Sequence, residues 1–142
     1  MVFENPVEEL MNFKRYLGAA ALLFLFIFLY EGVVHGVILS SIYAETEHLW
    51  RSEKAMMALM PFRIMTQGVI ALWLAYIFAK LFPNGGVRNG VRFGLYLGGW
   101  SAIQAMSSYL WLPISLELAA LWFVVYLVES VAGGLILGFM YT

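Results

Sequence analysis

Long apolar runs dominate the chain, and the polar positions between them fall at intervals that divide it into four. A helix crossing about 30 Å of hydrocarbon needs about 20 apolar residues. Residues 17–43 meet that requirement, interrupted only by Glu31 and His35. Residues 64–82 form a second run, closed by Pro83-Asn84-Gly85-Gly86, a turn because proline and glycine break helices. Residues 91–112 form a third, which Pro113 ends, and residues 114–141 form a fourth. The pattern predicts an all-α polytopic membrane protein, a single domain over 1–142 folded as a four-transmembrane-helix bundle.

Two further segments mix charge with apolar residues. Asn5-Pro6 is a good cap and first-turn pair, and Glu8 and Glu9 favour the positive end of a helix dipole, so a short helix is expected there. Residues 45–60 carry Leu49, Trp50, Met56, Met57, Leu59 and Met60 among charges, with Glu47 and Arg51 at i,i+4 spacing. They read as an amphipathic interfacial helix between spans one and two, with an ordinary structured loop as the alternative.

Composition agrees with lipid as the solvent. Of 142 residues, 63% are hydrophobic and 12% charged, where soluble domains carry about 25% charged residues. A domain this small has too little interior to hide the excess. A net charge of −1 argues against nucleic acid as a partner, because phosphate binding needs a concentrated basic surface. The absence of cysteine excludes disulfides, thiolate nucleophiles and cysteine metal sites. No cleavable signal peptide is expected, since Glu4, Glu8 and Glu9 occupy the place of a basic leader. Lys14, Arg15, Lys80, Arg88 and Arg92 fall on one side of the predicted spans, against Arg51, Lys54 and Arg63 on the other. That bias places both termini in the cytoplasm.

Small residues recur every four positions in each span. They are Gly32, Gly36 and Ser40; Ala71, Ala75 and Ala79; Gly90, Gly94, Gly98 and Ala102; and Ser130, Gly134 and Gly138. In lipid such faces let backbones approach closely. They serve packing within one bundle, and their abundance also suggests a homo-oligomer or a partner in a larger membrane complex.

Ionisable groups within a membrane are costly and usually face the protein interior. Glu31 and His35 share one face of span one, rotated about 100° from the Gly32/Gly36 stripe. Glu129 interrupts span four, Gln104 lies in span three and Gln67 near the outer end of span two. With alternating helices, Glu31, His35, Gln104 and Glu129 reach one depth, between the midplane and the outer leaflet. This candidate pocket admits several readings. In one, the groups only fix helix register, with Tyr30, Tyr109 and Tyr126 supplying hydrogen bonds. In another, Glu31 and Glu129 bind a proton or cation, with His35 acting as relay. Glu31, His35 and Glu129 could ligate a metal, although Glu45-x-x-His48 is the one Glu-x-x-His in the chain and sits in a connection. Lipid or quinone binding is the last. No H-E-x-x-H, G-x-S-x-G or phosphate-binding glycine loop occurs. Met56, Met57 and Met60 fit the apolar face of the interfacial helix better than copper handling. Trp50 and Trp111 stand at predicted interfaces.

Tyr43 to Trp50, the run Asn89-Gly90-Val91-Arg92-Phe93-Gly94-Leu95 and the closing Gly133-Gly134-Leu135-Ile136-Leu137-Gly138 give the chain its resemblance. It resembles small bacterial four-span membrane protein families of unknown function, which implies the fold and a bacterial inner-membrane location. The expectation is a non-enzymatic membrane subunit without cofactor or metal, self-associating or accessory to a larger complex. The alternative is a small proton- or cation-coupled transporter or channel.

Overall fold

A computed structural model describes residues 12–141. The short helix expected from Asn5-Pro6 lies outside them. The described residues are helical, with turns between.

Helix α1 spans Phe13–Val33, its first turn capped by Asn12, whose Oδ1 accepts the Arg15 N–H at 3.1 Å. It starts four residues before the predicted run and does not continue unbroken to Tyr43. Val34–Ile38 form one π-helical turn, in which the Leu39 N–H bonds the Val34 carbonyl at 2.8 Å. A five-residue helix, α2 (Ser40–Ala44), follows. Gly36 and the β-branched Val33, Val34, Val37 and Ile38 are weak helix formers, so the regular winding gives way there.

The connection to the next long helix departs from expectation. In place of one helix over 45–60 there is a 3-10 turn, Glu47–Leu49, then extended backbone at Trp50, then a short helix α3 (Glu53–Ala58). Ser52 explains the break, because its Oγ accepts the Ala55 N–H and starts a new helix. Arg51 therefore lies outside any helix, and the i,i+4 pairing with Glu47 has no helix to form on.

Helix α4 (Met60–Leu81) begins with Pro61 in its first turn, where a missing N–H costs nothing. A tight turn follows, with Gly85 and Gly86 at φ 57° and 94°, backbone that side chains rarely adopt. Helix α5 (Val87–Ser107) rises from it and ends in a 3-10 turn, Ser108–Leu110. After Pro113, Ser115 caps helix α6 (Leu116–Met140) by accepting the Leu118 N–H at 3.1 Å.

The long helices pack in the order α5, α6, α1, α4. Ala19, Ala20 and Leu23 of α1 meet Ala71, Ala75 and Phe78 of α4 in the main core. The predicted alanine stripe of span two thus packs inside the chain. Helices α4 and α5 come together near their shared turn through Phe78, Phe82 and Phe93, with Phe78 and Phe93 centroids 5.4 Å apart. A second cluster, Ile114, Leu118 and Ala119 with Tyr43, Trp50 and Trp122, closes the opposite end.

Three helical stretches are long and apolar enough to cross a membrane: Phe13–Ile38, Met60–Leu81 and Leu116–Met140. The outer faces carry Leu25, Leu29, Trp73, Tyr96, Trp100 and Phe139, all exposed. Contiguous apolar surface on that scale marks contact with lipid or with other proteins. α5 matches the others in length, but Arg88, Asn89, Arg92 and its glycines dilute its apolar character.

Candidate functional site

Contacts between helices, more than sequence spacing, organise the polar groups. Glu31 stands near the end of α1, opposite the start of antiparallel α4. There its Oε2 accepts from Arg63 Nη2 at 3.1 Å and from Gln67 Nε2. Arg63 and Gln67 are four residues apart and share one face of α4. The Arg63 guanidinium also lies over the Phe28 ring, 5.7 Å from its centroid. A charge on such an apolar helix needs such a partner.

Glu129 comes from the middle of α6 and is 8% exposed. Its Oε1 is buried and has no hydrogen-bond partner among the described residues, and the same holds for Gln67 Oε1. Both residues line a cavity of about 320 Å³ at the centre of the four long helices, together with Glu31. The walls are otherwise largely hydrocarbon and aromatic: Leu23 and Ile27 of α1, Leu74 of α4, Phe93 of α5 and Tyr126 of α6. Buried polar atoms are normally satisfied. Two orphaned oxygens on one cavity therefore require an account.

His35 does not join this cavity. The π-helical turn carries it into a separate cluster, where its Nδ1 lies 2.6 Å from the Tyr43 hydroxyl. That hydroxyl also accepts the Trp122 indole N–H at 2.7 Å. With its lone pair so used, Tyr43 is placed to donate to His35, which fits the Nε2-protonated tautomer. Trp50 packs edge-on to Tyr43 and donates to Thr46 Oγ1 at 3.0 Å. His35 and Gln104 line a second cavity of about 340 Å³. Tyr126, Trp100 and Ser101 border both cavities. A third, of about 690 Å³, continues past His35 and Trp122 to Ser40, Arg51 and Met56.

The four predicted pocket residues therefore divide into pairs: Glu31 with Glu129, and His35 with Gln104. Among the described residues no three His, Asp or Glu side chains come together as a metal site, so the ligand set Glu31, His35 and Glu129 does not assemble. Tyr30 bonds the Val125 carbonyl at 3.0 Å, tying α1 to α6 beside the first pair. Arg63 was assigned by sequence to a loop. An arginine at the start of one apolar run, opposite a glutamate near the end of the run before it, was the signal for its role.

The predicted packing glycines also divide. Gly90 and Gly94 of α5 meet Gly134, Gly138 and Ser130 of α6 backbone against backbone, and Gly98 faces the side chains of Ser130 and Leu127. A Cβ at Gly94 would lie 2.5 Å from the Ser130 carbonyl oxygen. Gly32 and Gly36 instead lie on an exposed face, where a Cβ would meet nothing within 4 Å. No protein-family model, curated protein or solved structure matches this chain.

Proposed function

We propose that the chain is a four-span membrane protein that binds and moves a proton or small cation through the cavity shared by Glu31 and Glu129. The observation that carries this reading is the unpartnered, buried Glu129 oxygen on that cavity. An ionised carboxylate in such surroundings needs a positive charge beside it, and Arg63 is already committed to Glu31. A proton or a cation supplies the missing charge. The reading is non-enzymatic, since no bond is made or broken.

The fourth span is α5. Its 21 residues rise about 1.5 Å each, enough to cross the hydrocarbon. Arg88 and Arg92 sit in its first two turns, where long side chains reach the headgroups. Both termini are cytoplasmic in this reading. With Arg63 held by Glu31, only Arg51 and Lys54 remain as loop cations on the outer side, and the charge asymmetry grows. Segment 45–59, with Met56 and Met57 exposed, lies along the outer interface.

The test is flux in liposomes loaded with a pH-sensitive dye. Glu129→Gln, which keeps the shape and removes the charge, abolishes proton or cation flux while leaving the thermal unfolding profile unchanged. Flux equal to that of the native protein would sink the proposal.

A second reading, a self-associating or accessory subunit, has its own support in the exposed Gly32 and Gly36, which no part of the described chain covers. Native mass spectrometry of gently extracted protein then shows a defined oligomer or complex, which Gly36→Leu dissolves.

A further inference from the structure

Within the transport reading, on which this inference rests, we infer that the central cavity takes an amphiphilic organic cation: a quaternary or protonated amine joined to a small apolar body. Its size is the first argument. About 320 Å³ falls at the lower end of the range of about 300–1,000 Å³ typical of small-molecule pockets and is far larger than a bare ion requires.

The wall chemistry is the second. A hard inorganic cation demands about six or more oxygen ligands to replace its water. Here the two orphaned oxygens, Glu129 Oε1 and Gln67 Oε1, are joined on the cavity wall by the neutral hydroxyl residues Ser101, Ser130 and Tyr126, and the rest of the lining is largely leucines, isoleucines and rings. Glu31 is occupied by Arg63 and Gln67. One free carboxylate in an apolar chamber suits a ligand whose charge is single and whose bulk is hydrocarbon. Trp100 and Tyr126 bring aromatic rings to the same wall, and ring faces attract alkylammonium groups.

The way in is the third. Ile70 of α4 and Trp100 of α5 line the cavity and are 48% and 67% exposed. They mark a rim between two helices that meet near their common turn and hold little backbone contact elsewhere. In a four-span bundle that rim opens sideways to the bilayer, where amphiphilic cations concentrate.

The experiment is calorimetric titration of the full chain in phosphatidylglycerol nanodiscs with benzyltrimethylammonium and with neopentylbenzene, its uncharged carbon isostere. Benzyltrimethylammonium binds the native protein, and neopentylbenzene binds about tenfold more weakly or worse, the equivalent of one lost charge-assisted contact. Glu129→Gln weakens the cation by a similar factor and leaves neopentylbenzene unchanged. Trp100→Leu, at an exposed position that folding tolerates, weakens the cation severalfold. Equal binding of cation and isostere, or undiminished cation binding to folded Glu129→Gln, overturns the inference. Loss of cation binding in phosphatidylcholine nanodiscs would place a choline headgroup in the pocket, so that the ammonium chemistry stands with lipid as its source. Glu129-dependent proton flux without cation binding overturns the ligand class and leaves the transport reading intact. Cation binding without flux in liposomes does the reverse.

Discussion

The seam between α5 and α6 and the space between α4 and α5 obey opposite packing rules. Along the first, Gly90, Gly94, Gly134 and Gly138 bring two backbones so close that no side chain fits between them; a Cβ at Gly138 would lie 2.6 Å from the Gly86 carbonyl oxygen. Along the second, three phenylalanine rings hold the helices together at one end, and a cavity opens beyond them. Lipid provides no hydrophobic drive between helices, so adhesion has to come from close van der Waals approach. Concentrating that approach in one seam frees the other side to splay and to hold polar side chains. The two regions adjoin at Ser130, whose backbone bears on Gly94 of α5 and which lines the cavity beside Glu129.

The largest effect is expected where the seam is tightest. Gly94→Leu drives a side chain into the Ser130 backbone and destabilises the monomer by about 3 kcal/mol or more. It is seen as a loss of monodisperse protein on mild heating. Because these contacts lie within one chain, the mutant unfolds rather than dissociating intact subunits. Recovery of a stable, dispersed Gly94→Leu protein would break the contrast between the two regions.

On the open side the Glu31–Arg63 pair is the next target. Arg63→Ala leaves the carboxylate with Gln67 as its remaining partner and costs about 1–3 kcal/mol. Glu31→Gln added to it restores much of the loss, since the stranded charge is gone. Thermal unfolding of the two variants measures both steps, and a double mutant no better than Arg63→Ala alone would show that the pair's charge is not what matters.

Tyr43→Phe removes the hydroxyl that holds both His35 and Trp122. A loss of about 1 kcal/mol follows, with a shift in tryptophan emission as the Trp122 indole loses its acceptor. An unchanged emission spectrum would mean that the indole finds another partner.

The smallest effect belongs to Gly32→Leu, on the face that meets nothing within the chain. Its monomer stability stays within about 0.5 kcal/mol of the native value. A marked loss would show that this face is buried after all, by another chain.

Much of the fold was legible because the bilayer imposes simple rules. Helix length against hydrocarbon thickness pointed to the long apolar runs, and Pro113 and the Pro83-Asn84-Gly85-Gly86 turn punctuated them. The glycine register of Gly90, Gly94 and Gly98 offered a close packing face, within the bundle or between chains, and in the structure these residues lie on the α5–α6 seam. It did not identify the opposite wall, because spacing along one helix says nothing about which neighbour it meets. Gly32 and Gly36 carry the same signature and touch nothing. The segment 45–60 looked amphipathic, yet Ser52 divides it, a local hydrogen bond outweighing a periodic pattern.

The candidate site divides along the same line. Position within each span gave Glu31, His35, Gln104 and Glu129 one expected depth, since an apolar helix has one rise per residue. Their grouping did not follow. Glu31 and His35, four residues apart, belong to different cavities, and Arg63 and Gln67 reach Glu31 from another helix. By itself the sequence determined the long apolar runs, their polar interruptions and the residues small enough to pack. Only the tertiary structure decided which polar groups are paired and which oxygen is left without a partner, because contacts between helices depend on rotation and splay, and residue spacing encodes neither.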